Sequence, residues 1–236
     1  MLMGRLDKQI ALITGASKGI GKAIATGLAM EGAHVILVAR SVEQLSSLKA
    51  SLTSSGLKAS IHVADISRQA QAEAMIGSAI NDFGRLDILV NNAGIGFFKP
   101  LTEMPLEEFD AMWSVNVRAI FVAAKAALPY MIKARSGSIV NIGSLAGKNS
   151  FKGGAGYSAT KWALRGLASS LMLEVREHNI RVVTIFPGSV DTDFSMAGKR
   201  GANIPQPEDV ASAVVFAVTA PQRSMFSEID LRPTNP

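Results

Sequence analysis

The strongest constraint on this chain is a rhythm. Runs rich in Val, Ile and Leu recur at Gln9–Thr14, His34–Ala39, Ala59–Val63, Leu86–Val90, Ser138–Ile142 and Ile180–Phe186, with a weaker one near Glu228–Leu231. They show little apolar–polar alternation, as expected of parallel strands covered on both faces. Helix-length amphipathic stretches lie between them, near 19–31, 42–54, 67–83, 105–133, 156–178 and 207–219. Strand and helix in alternation predict an α/β fold: a doubly wound parallel sheet of Rossmann type, about seven strands with helices on both faces. No Pro/Gly/Ser-rich linker, composition break or fixed-period repeat interrupts the chain, so residues 1–236 read as a single domain.

Composition removes several classes of function. Apolar residues make up 48% of the chain and charged residues 18%, enough for a large buried core and incompatible with a disordered chain. There is no cysteine, hence no disulfide, thiolate metal site or cysteine nucleophile, which fits a reducing cytoplasm. His34, His62 and His178 lack metal-ligand spacing, so no metal is expected. The N-terminal apolar run is too short for a signal peptide and leads into a strand and a glycine motif, and no uninterrupted run reaches the length of a membrane span. A cytoplasmic chain without a membrane partner is expected. The net charge of +5 comes from scattered residues, and aromatics are only 6%, poor material for stacking bases. Nucleic acid is not an expected partner; the charge reads as a mildly basic surface, assisted by a site for a polyanionic cofactor.

In doubly wound sheets, ligands bind beyond the carboxyl ends of the strands. TGASKGIG follows the first strand, Arg40 ends the second, Asp65 follows the third, NNAG the fourth, Ser144 the fifth and PGSVDT the sixth. All fall on one rim. Gly15, Gly19 and Gly21, with Ser17, Lys18 and Ile20 among them, lie before an apolar helix, where glycines let the backbone approach a pyrophosphate held at the helix N-terminus. The residues do not match a P-loop: Ala16 stands where its first glycine is needed, and Ala23 where Ser or Thr must follow Lys22. Enzymes that prefer NAD place a carboxylate at the end of the second strand, whereas this chain has Ala39 and Arg40, with Lys18 in the glycine turn. Two cations and no carboxylate suit a 2′-phosphate, so NADP(H) is expected in preference to NAD(H). Asp65 is placed to accept from an adenine amino group; it is otherwise a helix cap, a role Ser67 fills better. Asn91 and Asn92 read as ties between strands, and Gly94 as a point of close cofactor approach, although NNAG is equally a turn.

Tyr157 and Lys161 stand four residues apart in YSATK, after Ser144 in IGSLAG. On a helix they share a face, and a nearby ammonium favours the phenolate. Alone the pair is weak evidence, because a surface tyrosine packed on a lysine stem has the same spacing.

Taken together, these residues resemble the short-chain dehydrogenase/reductase family, in its main single-domain branch, over nearly the whole length. The resemblance rests on TGASKGIG at 14–21, Asp65, NNAG at 91–94, Asn116, Ser144, YSATK at 157–161 and PG at 187–188 with Thr192. It implies that Tyr157 is the general acid and base, and that Lys161 holds the nicotinamide ribose and lowers the Tyr157 pKa. It implies that Ser144 holds the substrate oxygen, and that Asn116 bends its helix and holds a water linking Lys161 to solvent. Pro187, Gly188, Val190 and Thr192 would contact the nicotinamide, while Gly15, Ser17, Lys18, Gly19, Ile20, Gly21, Arg40, Asp65, Asn91, Ala93 and Gly94 would hold the rest of the cofactor. The implied reaction is reduction of a ketone or aldehyde to an alcohol, reversible, in a homodimer or homotetramer. A 3-oxoacyl-thioester reductase and a catalytically silent NADP-binding regulator are the alternatives.

Two features depart from the family pattern. The segment between PGSVDTDF and about Pro207 is short where many members carry a lid, and MFSEIDLRPTNP replaces the glycine-rich end of fatty-acid-synthesis reductases. Phe97, Phe98, Phe151, Phe194 and Met196 fall in rim loops and are candidates for an apolar substrate pocket, or for exposed lid packing.

Overall fold

The computed structural model of the chain describes residues 4–194 and 203–234. Seven parallel strands form one sheet: β1 (Ile10–Thr14), β2 (His34–Ala39), β3 (Ala59–Val63), β4 (Ile88–Asn91), β5 (Gly137–Ile142), β6 (Ile180–Pro187) and β7 (Glu228–Leu231). Their order is β3-β2-β1-β4-β5-β6-β7, so the winding reverses between β1 and β4. The helices are α1 (Gly19–Met30), α2 (Val42–Ser54), α3 (Gln69–Phe83), α4 (Leu106–Trp113), α5 (Ala119–Ala134), α6 (Ala155–Val175) and α7 (Pro207–Thr219).

The lack of alternation in the strands is explained by two cores. Ala11 and Ile13 of β1, Val35 and Leu37 of β2, and Val183 and Ile185 of β6 pack with α1, α2 and α7. The intervening residues Leu12, Ile36, Val38 and Val182 pack with α3, α5 and α6. Successive side chains point to opposite faces, so a strand buried on both sides must be apolar at every position.

Several boundaries differ from the sequence reading. Gln9 belongs to a turn, its N–H donating to Leu6 O at 3.0 Å, so β1 begins at Ile10. β4 begins late, at Ile88, after Asp87, whose carboxylate accepts the Ile10 N–H at 2.8 Å. Ser67 is not a cap. The helix starts at Gln69 behind Arg68, which makes no side-chain cap bond, while the Ser67 hydroxyl donates to Asp65 Oδ1 at 2.7 Å. The expected long helix over 105–133 is interrupted by one π-helical turn, Ser114–Arg118, joining α4 to α5. The helix expected over 156–178 is α6 followed by a 3₁₀ turn at Arg176–His178. By length and hydropathy the span Leu106–Ala134 is long and apolar enough to cross a membrane. Here Ala123, Ala124, Ala127 and Met131 of that span are buried in the core beside α3 and α6.

The edge strand β7 carries its own charges. Glu228 pairs with Lys148 at 2.8 Å and Arg165 at 2.7 Å, and Lys148 also reaches Asp230. In the middle of the sheet, β4 and β5 are tied by a buried amide pair: Asn91 Nδ2 donates to Asn141 Oδ1 at 2.9 Å, at aligned positions of the two strands. Removing one partner strands the other amide in the core. Asn141→Ala is therefore expected to lower stability by about 1–3 kcal/mol, with Asn91→Ala/Asn141→Ala costing less than the sum of the single variants. Urea unfolding of the four proteins measures this; strict additivity would show that the pair is not a coupled tie.

Candidate active site

The strands' carboxyl ends open into one cleft of about 1660 Å³, running from Gly15 and Arg40 to Tyr157 and Phe194. Its position follows from the reversal in winding. Ile13 pairs with Val90, but the next residues part: Thr14 pairs with Val38 of β2, and Asn91 with Asn141 of β5. Ligands of doubly wound sheets bind at this kind of divergence. The split is held by side chains. Asn92 Nδ2 donates to Thr14 O at 2.9 Å and Gly15 O at 3.2 Å, while Thr14 Oγ1 accepts the N–H groups of Asn92 and Ala93, both at 3.1 Å.

The glycine turn is built for a close approach. Gly15 has φ +68, and a Cβ on Gly21 would lie 2.2 Å from Gly15 O. α1 starts behind Lys18 with no side-chain cap and no acid in its first turn, leaving its positive end uncompensated. These residues fit a pyrophosphate: a cradle that any side chain would fill, with unmatched backbone N–H groups at a helix start.

Around the rest of the cleft stand Ser17, Lys18, Gly19, Ile20, Arg40, Asp65, Ala93 and Gly94, and on the far side Pro187, Gly188, Val190 and Thr192. Asp65 Oδ1 also accepts the Ser67 N–H at 3.1 Å. These Ser67 bonds hold the Asp65 carboxyl below its usual range, with Arg40 and Arg68 adding to the effect against partial burial. Lys18 lies 3.5 Å from Asp193. Asn91, expected beside the cofactor, does not line the cleft; its amide is buried against Asn141.

Ser144, Tyr157 and Lys161 meet at one end of the cleft. Ser144 closes β5 and caps a short 3₁₀ turn, its Oγ accepting the Ala146 N–H at 3.1 Å. Tyr157 and Lys161 lie one turn apart on α6, both almost fully buried, and Lys161 Nζ donates to Ile142 O at 3.0 Å. An ammonium has three donors, so this bond leaves others for a ligand. Asn116 is also expected here but is fully buried and does not line the cleft. Its Oδ1 accepts Ile95 N–H at 2.9 Å, and its Nδ2 donates to Ile95 O at 2.8 Å and Thr160 Oγ1 at 3.1 Å. The π turn brings that amide to the loop after β4, making Asn116 a strut between this loop and α6.

The acid–base balance differs from the expected lowering of Tyr157. Burial pushes the phenol up to about 12, and the hydrogen bond with Ser144 opposes this only in part. Burial also pushes Lys161 down to about 8. Both groups lose hydration of their charged forms, and this outweighs their proximity.

Three of the rim aromatics, Phe98, Phe151 and Phe194, line the cleft. Phe97 does not; it packs with Met112, Tyr157 and Ala146. Met196 and much of the short segment expected to be a reduced lid lie outside the described residues. Thr14 opens the TGASKGIG motif, but its bonds across the split carry no signal in the sequence. The sequence reading passed over Thr160, Asn141 and Arg118. Arg118 lines the cleft and donates to Ser67 O at 3.1 Å and to the Ser114 hydroxyl.

Comparison with known proteins gives a consistent family. The model for short chain dehydrogenase matches residues 9–202. An uncharacterized oxidoreductase of Staphylococcus epidermidis is 34% identical over 98% of this chain and 100% of its own length. Among solved structures, a metagenomic short-chain oxidoreductase in complex with NADP superposes with a TM-score of 0.88 at 40% identity, covering 98% of this chain and 99% of the other. An alcohol dehydrogenase from the archaeon Thermococcus sibiricus, complexed with 5-hydroxy-NADP, gives a TM-score of 0.90 at 32% identity and 97% coverage of both chains.

The buried lysine makes stability depend on pH. Lys161 titrates near 8 in the folded chain against 10.5 when exposed. Between these values the unfolded chain binds the proton that the folded chain has released, so this group's contribution to stability rises with pH across the window. Tyr157 acts oppositely at higher pH: from 10 to about 12 the folded chain keeps a proton that the unfolded chain loses, and stability falls. Wild type is expected to gain on Lys161→Met, on the order of 1–3 kcal/mol, between about pH 7 and pH 10. Thermal unfolding at several pH values measures the difference; a flat difference would mean that Lys161 is not desolvated.

Proposed function

The chain belongs to the short-chain dehydrogenase family, and from that premise we propose that it reduces a ketone or aldehyde to the alcohol with NADPH, reversibly, with Tyr157 as acid and base. The observation that carries this reading is the meeting of Ser144, Tyr157 and Lys161 at one end of a cleft whose other end is the glycine turn of α1.

Each residue has a definite task. Ser144 Oγ accepts from Ala146 N–H; its own proton faces Tyr157 and would hydrogen-bond a substrate oxygen lodged between the two, stabilising charge developing there. Tyr157, held protonated by burial, gives its proton to that oxygen. The Lys161 ammonium beside it stabilises the phenolate that remains, until solvent returns the proton. When bound, the nicotinamide supplies the hydride, so the carbonyl carbon gains two electrons and the Tyr157 proton completes the alcohol. Gly15, Gly19 and Gly21 would hold the pyrophosphate, Asp65 the adenine and Lys161 the ribose. Reading the reaction backwards, the same phenolate removes the alcohol proton.

The preference for NADP(H) is supported by Arg40 at the end of β2, with Lys18 in the glycine turn, and by the NADP complexes of two similar structures. Arg40→Asp is expected to weaken NADPH by about 10- to 100-fold and NADH by much less. Equal losses in titrations with both cofactors would show that Arg40 does not read the phosphate.

Tyr157→Phe keeps the ring and removes the acid. Its turnover of NADPH with a good carbonyl substrate should fall by about 10²- to 10⁴-fold while the cofactor still binds. Undiminished turnover would end the proposed mechanism. A wild-type protein that binds NADPH and turns over nothing in a broad carbonyl panel would instead be a silent binder.

A further inference from the structure

Three phenylalanines gather around the Tyr157 ring. Phe98 stands edge-on to it at 5.1 Å between centroids, Phe194 lies at 6.0 Å, and Phe98 meets Phe194 nearly at right angles at 6.3 Å. Phe151 extends the group, 5.9 Å from Phe98. Two glycines make room for these rings. A Cβ on Gly96 would lie 2.9 Å from the tips of both Phe98 and Phe194, and one on Gly154 would lie 2.5 Å from the Phe151 ring.

The rings are not simply core. Phe151 and Phe194 are 43% and 46% exposed, whereas Tyr157 is 6% exposed. Open apolar faces therefore border the nearly sealed phenol, and covering them releases water. Of the described cations lining the cleft, Lys18 stands against Asp193, Arg118 against Ser67 O, Lys161 against Ile142 O and Arg232 near Asp230, while Arg40 follows β2, on the other side of β1 from Ser144 and Tyr157. No described cation stacks on these three rings; the stacked ones lie over Phe186, Tyr157 and Trp162. Apart from the Lys161 ammonium, the contacts that Phe98 and Phe194 offer beside the phenol are aromatic and uncharged. Phe151 also lines a second cavity of about 410 Å³, together with Leu101, Trp162 and Ser158, whose buried hydroxyl has no partner. Phe151 thus borders both spaces, as does Ser150.

We propose that this pocket selects carbonyl compounds bearing an aryl group, and that Gly96 and Gly154 set the selectivity by seating the three rings. This rests on the carbonyl-reductase reading. An aryl ketone places its carbonyl at Ser144 and Tyr157 and its ring among Phe98, Phe151 and Phe194, edge-to-face contacts being favoured between such rings. Phe151 limits the length of the aryl group.

The test compares kcat/KM with NADPH for acetophenone, 4-acetylbiphenyl, acetone and pyruvate. Wild type should favour acetophenone over acetone and pyruvate by at least about 10-fold. Phe194→Ala and Gly96→Val should each shrink the acetophenone-to-acetone ratio by about 5- to 50-fold, and Phe151→Ala should raise the ratio of 4-acetylbiphenyl to acetophenone. Binding is read separately by calorimetric titration of acetophenone into Tyr157→Phe, where adding Phe194→Ala should weaken it by a similar factor. Pyruvate reduced as well as acetophenone, or ratios that the ring variants do not move, would overturn the aryl pocket while leaving the reductase reading intact. If no carbonyl is reduced, the reductase reading fails, and the titration alone decides whether the pocket takes an aryl group: no saturable binding would overturn it.

Discussion

Everything in this molecule depends on how β1 and β4 part. Two neighbouring strands whose following segments leave towards opposite faces cannot continue their hydrogen-bond ladder, and the backbone groups at the split need other partners. Thr14 and Asn92 supply them, the hydroxyl taking two N–H groups and the amide reaching two carbonyls. The glycine turn packs directly on that amide: a Cβ on Gly21 would lie 2.5 Å from Asn92 Nδ2. The same few atoms therefore open the sheet, close its polar accounts and define where a phosphate can approach.

Catalytic geometry is secured by a second device, farther from the substrate. The π turn at Ser114–Arg118 interrupts the regular helix, and single π turns inside helices are frequent at functional sites. Within it, Asn116 links the loop after β4 to Thr160, which in turn bonds Tyr157 O at 2.8 Å. Tyr157 and Lys161 are thereby fixed from behind, by residues that do not line the cleft. Burial gives the pair its character: it keeps the phenol protonated and the ammonium readily titrated.

Much of this was legible in the sequence, and the exceptions share a cause. Strand runs apolar at every position reported a sheet covered on both faces, and the polar motifs after them reported a single rim. Local spacing could not report what a side chain faces. Phe97 and Phe98 are adjacent and pack on the same Met112–Tyr157 cluster, yet only Phe98 also reaches the cleft. Asn91 and Asn92 divide, one into the sheet and one to the split. The π turn left no Pro or Gly to announce it. Ser67 precedes a helix and so reads as a cap, but the neighbouring Asp65 takes its hydroxyl. The direction of the Tyr157 shift was missed because a neighbouring lysine is visible in a sequence and depth of burial is not.

The outer strand β7 has a consequence beyond the cleft. It ends the sheet, and the final strand of an open sheet is a template on which a foreign strand can add. β7 is short, and its Glu228 and Asp230 are gripped by Lys148 and Arg165, side chains rooted in the segment after β5 and in α6. An intruding chain would have to accommodate those charges to pair there. The ion pairs at this margin thus add an electrostatic cost to strand addition on a largely apolar sheet.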